Sequence, residues 1–411
     1  MGSDVGGSGE PILASLTKYI PYAGIAHAGG RYVEAHYRAL APDWRIEATA
    51  PETRANAAAA RRVDEVESVD LVRGRGLFAG GRLKLLADLE AGWAGSAVTR
   101  NVRSEFARAG APVWGRLERA AVIEFQWSEM FALAEQVRPR LPRHFLVGVA
   151  HDVITQRWER AAEVARAPLR QGLHLAAVRS RSREERSLRA LDIAIVFSEK
   201  DAALVRDLSP TTAVEVVLPG LGPDGPPLER RRSAEEPVVL FTGALNRPDN
   251  HRGIEWFVDR VWPSVLVQVP TARLVIAGAH PRPALERTVA RAQRVSLTGY
   301  VASLEPQYAA ASAFVAPLFT GAGVKFKTID AMLRGVPVVA TPVGAEGIAG
   351  GDLLAGLTED PVEFASAVVH ALGPAGAERA ARAEVWAEDQ YGSAAFGRRL
   401  RALYARFPQI R

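Results

Sequence analysis

GAGVKFKTIDAMLRGVPVVATPVGAEGI, from Gly321 to Ile348, runs a loop, a helix and a strand together without a break. Three small residues, Gly321, Ala322 and Gly323, lead into a helix expected over Lys325–Leu333, and an apolar strand, Val336–Ala340, follows Gly335 at once. Glycines let a ligand approach the backbone, and a helix N-terminus offers unpaired N–H groups and partial positive charge to an anion. Lys325 and Lys327 add charge there, and one turn on Asp330 is placed to accept hydrogen bonds from hydroxyls. Phosphate at the loop and hydroxyls at the acid together describe a sugar nucleotide.

Outward from that segment the same alternation recurs. Short β-branched runs, among them Ile12–Leu16, Ile46–Thr49, Ala121–Phe125, His144–Val149, Ile193–Phe197 and Val214–Leu218, are separated by helical stretches including Tyr32–Leu40 and Val153–Leu191. This pattern predicts βαβ units with a parallel sheet. It breaks at residues 219–237, where Pro, Gly and charge crowd together as in a linker. It then restarts with Val238–Thr242, Arg273–Ala277, Val295–Leu297, Ala313–Ala316, Val336–Ala340 and Leu353–Leu357. The expectation is α/β: two Rossmann-like domains facing a central cleft, hinged at the linker. The divisions are a flexible tail at 1–10, an N-terminal domain at 11–218, the linker at 219–237, a C-terminal domain at 238–390 and a final basic helical segment at 391–411.

Composition agrees with two soluble cores. The chain has 411 residues, 48% hydrophobic and 24% charged, too long for one compact core. It contains no cysteine, which excludes disulfides, thiolate metal sites and a cysteine nucleophile and fits a reducing cytosol. The start, MGSDVGGSGE, is not basic-then-apolar, so it is not expected to act as a secretory signal. A net charge of +5 without an aromatic-rich basic motif argues against nucleic acid. One basic run, Arg166, Arg170, Arg179, Arg181, Arg183, Arg186 and Arg189, is offset only by Glu184 and Glu185. It reads either as a solvated helix face or as a contact for anionic lipid. Cytoplasmic location is expected, with attachment to the inner face of the membrane through this patch as the alternative.

The Gly321–Ile348 segment resembles the signature of the family-4 (group 1) glycosyltransferases, retaining enzymes of the GT-B fold. VVLFTGALNRPDNHRGIEWF (Val238–Phe257) and LTGYVASLEPQYAAASAFVAPLFTGAG (Leu297–Gly323) resemble the opening and middle of that family's donor domain. PYAGIAHAGGRYVEAHYRAL, VGVAHDV and IVFSEKDAALV resemble its other domain. The high Ala, Arg and Gly content suggests a GC-rich bacterial genome.

The resemblance implies a transferase moving a sugar from a nucleoside-diphosphate sugar to a hydroxyl acceptor with retention, in polysaccharide, glycolipid or natural-product glycosylation. It implies that the final helix crosses back onto the N-terminal domain. Asp330 falls where the family binds the ribose; the alternative is a helix-surface carboxylate paired with Arg334 at i+4. Eight residues earlier the family's sugar-holding acid is replaced by Ala322, a departure its Gly-x-Gly subgroup shares. Backbone N–H groups of Gly323, Val324 and Lys325 would cradle the diphosphate. Lys325 and Lys327, two apart, cannot face the same way, so one, Lys327 by preference, would meet the phosphates; the alternative is that both are surface lysines. Ala244 after Gly243 replaces the family's arginine; Arg247 and Arg252 lie in the same loop and either substitute for it or are ordinary loop charges. Asn250 matches the subgroup's Pro-x-Asn. Gly299, Tyr300 and Val301 would meet the base by backbone groups.

On the acceptor side the resemblance puts His151 near the reacting carbon and the paired Gly29 and Gly30 near the diphosphate. Glu124, Gln126 and Trp127 are acceptor candidates, with Trp127 equally a core residue. The implied catalytic groups are His151, Lys327 and Lys325. No metal or other cofactor is expected, because no DxD-type acid pair is present. The competing readings are a catalytically silent scaffold binding nucleotide or glycan, kept open by Ala322 and Ala244, and a sugar-nucleotide epimerase.

Overall fold

The computed structural model describes residues 10–25, 27–72, 98, 100–163, 165–222, 229, 230, 233, 235–348 and 350–407. Apart from Glu10 the expected tail lies outside the described residues, as do 223–228, 231, 232 and 234 of the expected linker. The chain divides into two compact units, residues 1–219 with 396–411, and residues 220–395. Among the described residues no helix is long and apolar enough to cross a membrane.

The first unit is built on a seven-stranded sheet. Its elements are β1 (Ile12–Leu16), α1 (Ala28–Leu40), β2 (Arg45–Pro51), β3 (Ser68–Val72), β4 (Val122–Gln126), β5 (Phe145–Val149), α2 (Ile154–Glu163), α3 (Leu169–Arg189), β6 (Ile193–Val196) and β7 (Ala213–Val216). The order is β3-β2-β1-β4-β5-β6-β7, with every pairing parallel. Strands covered on both faces read as unbroken apolar runs, as in IAIV of β6, every residue of which is buried.

The second unit holds β8 (Val238–Thr242), α4 (Pro248–Trp256), β9 (Arg273–Ala277), β10 (Val295–Gly299), β11 (Ala311–Ala316), α5 (Phe326–Leu333), β12 (Val338–Ala340), β13 (Gly356–Leu357) and α6 (Pro374–Tyr391). Its six strands run in the order β10-β9-β8-β11-β12-β13, again all parallel. A separate core, including Phe241, Phe257, Trp262 and Phe364, fills it. The last helix, α7 (Ser393–Tyr404), joins the first unit from Phe396 onward. The two Rossmann-like domains read from the alternation are therefore both present.

Each sheet has one point where strand order reverses: between β1 and β4 in the first unit and between β8 and β11 in the second. Loops leaving such neighbouring strands diverge and open a crevice at their C-terminal ends, where α/β sheets bind ligands.

Local departures have physical causes. The single helix expected over Val153–Leu191 is two, because Pro168 disfavours helical backbone at Ala167. Helix α1 begins at Ala28 rather than Tyr32, capped by His27. Leu353–Leu357 is a short 3-10 turn and a two-residue strand. The edge strand β3 and the alanine-rich α6 were not expected, since neither carries a clear apolar period.

Candidate functional site

In the second unit the reversal point lies between the loop after β8 and the loop after β11. Lys327, in the first turn of α5, extends its amine to the end of β8. Its Nζ donates to Asn250 Oδ1 at 2.6 Å and lies 4.5 Å from the centre of the Phe241 ring. Asn250 in turn donates from Nδ2 to Ala244 O at 2.9 Å, tying α4 to the β8 loop. Gly243 makes this possible. A Cβ there would stand 2.7 Å from the Lys327 amine and 2.8 Å from the Asn250 amide, and φ is +157°. Burial pushes the Lys327 amine down to about 7, reinforced by the positive charges of Arg247 and Lys325 and opposed by Asp249. An anion brought beside this amine would favour its charged form.

Lys325 has the other task. It is the residue before α5, not its first turn, and it is buried. Its Nζ donates to Ala322 O at 3.2 Å and Gly323 O at 2.7 Å, with Glu346 at 3.5 Å. A trans peptide sets N–H opposite C=O. Pulling the carbonyls of Ala322 and Gly323 toward the lysine therefore turns the N–H groups of Gly323 and Val324 the other way. Gly321 and Gly323, at φ +109° and +72°, supply the left-handed backbone this needs. Lys325 thus shapes the loop from behind, and of the two lysines it is Lys327 that stands at the strand ends.

The remaining expectations divide. Arg247 is exposed and held by Asp249 at 3.2 Å, beside the loop. Arg252 is exposed: α4 buries Asn250, His251, Gly253 and Ile254, and Arg252, 200° around the helix from Asn250, points to solvent. Tyr300 is exposed and Val301 half-buried after β10, two strands from β8 and so about 10 Å along the row of strand ends. Asp330 is not a surface carboxylate. It is 2% exposed and accepts from Arg334 Nη1 at 3.1 Å, while Arg334 also grips Glu305 at 3.0 Å and 3.1 Å. The i+4 pairing is thus realised in the interior, and the two carboxylates, outweighing burial, raise the Arg334 guanidinium further.

The first unit's reversal point carries an aromatic cluster. Trp127, directly after β4, has φ +81°, left-handed backbone that costs a bulky residue on the order of 1–3 kcal/mol. That turn lays its indole on His151, ring centres 3.9 Å apart at 18°, with Tyr19 edge-on at 5.5 Å. Gly29 and Gly30 lie at the edge of this cluster. A Cβ on Gly29 would fall 2.0 Å from the Trp127 ring, and one on Gly30 would strike Ile25 and His27. The Gly30 N–H is already taken by His27 Nδ1 at 2.9 Å. The missing side chains admit the chain's own residues at these positions.

Glu124 and Gln126, the acceptor candidates, are both wholly buried. Glu124 accepts from Ser15 and His36, each at 2.8 Å, from Gln126 Nε2 at 2.9 Å, and from Tyr404 of α7. Burial alone would raise this carboxyl, but His36 and the donated hydrogen bonds outweigh it and hold it below the usual range. An ionised carboxylate only accepts, so it fixes the amide of Gln126 with its NH2 inward and Oε1 toward His151 Nε2, at 3.3 Å. His151 must then carry its proton on Nε2. Burial pushes its pKa far below 6.5, with further positive charge from His36, Lys18 and His27, so the ring is neutral. His36 and Tyr404 escaped the sequence reading. Tyr32 and His36 share a face of α1, but nothing in spacing ties that face to β4 or to a tyrosine near the C-terminus.

Comparison with known proteins gives a partial family match and a likeness of fold. Residues 236–373 match the family model of group 1 glycosyl transferases. The match covers the second unit's β8 loop, β11 loop and α5. An uncharacterized 44.6 kDa protein in the cps region of Klebsiella pneumoniae is 34% identical over 116 residues, 26% of this chain and 30% of that protein's length. Among solved structures, Anabaena Alr3699/HepE in complex with UDP-glucose aligns with TM-score 0.64 at 13% identity, over 96% of this chain and 99% of that one. A glycosyltransferase from Rickettsia africae ESF-5 aligns with TM-score 0.62 at 8% identity, over 97% and 98%. At such identities the likeness is one of fold, the two-Rossmann-domain GT-B class.

Proposed function

We propose that the protein is a glycosyltransferase that takes a sugar from a nucleoside-diphosphate donor and passes it to a hydroxyl acceptor with retention of anomeric configuration. The observation that carries the reading is Lys327: a half-buried amine beside Gly243 and Asn250, inside the segment that matches the group 1 family. Cleaving a sugar–diphosphate bond builds negative charge on the departing phosphate, and a pre-positioned ammonium with loop N–H groups stabilises that charge more than the ground state. Donor binding raises the Lys327 pKa again, so the diphosphate recruits its own proton. The UDP-glucose complex of the structural neighbour supports UDP-sugars as the first donors to try. Asp330 keeps its proposed contact to the ribose on the resemblance, and the base would lie toward Tyr300 and Val301.

His151, neutral with its proton on Nε2, has Nδ1 as its acceptor nitrogen, suited to a sugar or acceptor hydroxyl. Retention is proposed through attack on the face the diphosphate leaves. A scaffold reading rests on Ala322 and Ala244, where acid and arginine are replaced by alanine. Incubation with a panel of UDP- and GDP-sugars tests this. Nucleoside diphosphate release supports transfer, and product anomeric configuration by NMR tests retention. Binding without release supports the scaffold, and isomerised donor supports an epimerase.

A further inference from the structure

Gly321, Ala322, Gly323 and Val324, in the loop after β11, carry no polar side chain. Their backbone N–H groups suit an anion, but a hydroxyl-rich group attached to that anion needs acceptors, and a carboxylate is the strongest acceptor a side chain supplies. Of the carboxylates described around α5, Asp330 and Glu305 are both held by Arg334. Glu346 stands 3.5 Å from the Lys325 amine, behind the loop. A fourth, Asp249 in the first turn of α4, has no part in the site as argued so far.

Asp249 directly precedes Asn250, whose amide holds the Lys327 amine. Consecutive helix residues stand about 100° apart, so the two side chains diverge. The Asp249 carboxylate lies against the β11 loop: a Cβ on Gly321 would stand 3.5 Å from its Oδ2. That spacing is no clash, but a side chain there would cover the acid, and φ of +109° favours glycine at the same position. Arg247 fixes the carboxylate plane, donating from Nε to Oδ1 at 3.3 Å and from Nη2 to Oδ2 at 3.2 Å. Each oxygen has two lone pairs, so one N–H apiece leaves both able to accept again. Burial alone would raise this carboxyl, but Arg247, Lys327 and the hydrogen bonds donated to it outweigh burial and hold it below the usual range. An ionised carboxylate beside an anion-binding amine weakens the grip on the anion. It is suited instead to the uncharged part of the ligand, a sugar whose hydroxyls donate to it.

We propose that Asp249 accepts hydrogen bonds from hydroxyls of the donor's sugar and so sets which sugar is taken. This rests on the donor reading above. Titration calorimetry on the full chain compares UDP with UDP-glucose, and GDP with GDP-mannose. Asp249→Ala is expected to weaken the sugar nucleotide by roughly 10- to 100-fold, and Asp249→Asn by about tenfold. The bare diphosphate binds each variant at least as well as wild type, because a repelling charge is gone. Among the 2-, 3-, 4- and 6-deoxy forms of the sugar nucleotide that binds, one loses a similar factor in wild type and nothing further in Asp249→Ala. Equal loss of diphosphate and sugar nucleotide overturns the proposal and makes Asp249 a counter-charge for Lys327. Unchanged sugar-nucleotide binding, or a deoxy penalty that persists in Asp249→Ala, overturns it while the donor reading stands. A wild-type chain that binds none of the four ligands overturns the donor reading and this inference with it.

Discussion

Replacing Lys327 with methionine keeps the length and apolar stem of the side chain and deletes its amine. In the folded protein that amine sits at about 7 against an ordinary 10.5. The difference, 3.5 units, corresponds to an upper bound of about 5 kcal/mol at 1.36 kcal/mol per unit. Half-exposure and the hydrogen bond to Asn250 reduce it, and the variant leaves the Asn250 carbonyl short of a donor at about 1–3 kcal/mol. The net expectation is a gain of about 1–2 kcal/mol in the unliganded protein, or a few degrees in Tm.

The sign follows from proton uptake. Between pH 7 and 10.5 the unfolded chain holds this proton and the folded one does not, so wild-type stability rises with pH across that window. The advantage of Lys327→Met is therefore largest below pH 7 and fades toward 10.5. Loss of a charge-assisted contact to diphosphate, about 1.5–3 kcal/mol, weakens UDP or GDP by roughly 10- to 100-fold. Thermal melts at pH 6 and pH 9, with and without UDP or GDP, measure both effects. A variant that melts lower than wild type at pH 6, with its nucleotide shift intact, refutes the reasoning.

Asp330→Asn weakens the Asp330–Arg334 pair while Glu305 still holds the arginine, so urea unfolding should show a loss of about 1–3 kcal/mol. Glu184, raised to about 7 chiefly by burial, favours the folded state fully below its ordinary 4.5 and loses that contribution as pH rises through 7. Melts of Glu184→Gln should lose the wild-type decline between those values, which is at most about 3 kcal/mol, and a retained decline would assign it to another group. Gln126→Leu removes the acceptor facing His151 Nε2. Nitrogen-15 NMR should show the Nε2–H tautomer in wild type and a mixture in the variant, and a mixture already in wild type would break the chain argued from Glu124.

Alternating apolar runs and the Gly321–Gly323 loop before a helix were enough to read two Rossmann-like domains. Both signals are local, set by side-chain period and by the backbone freedom of glycine. Which of Lys325 and Lys327 faces the β8 loop was not legible, because the answer lies in Gly243 and Asn250, some 80 residues upstream. Arg252 shared the right loop and turned away, since a helix face is chosen by what packs beneath it. A Cβ at Gly29 would meet Trp127, distant in sequence and brought near by the pairing of β1 and β4, and no spacing in the sequence shows that contact. The Tyr404–Glu124–Gln126–His151 chain joins α7 to three central positions of the first unit. Hydrogen bonds across such separations depend on folded distance alone, and residue order carries no trace of them.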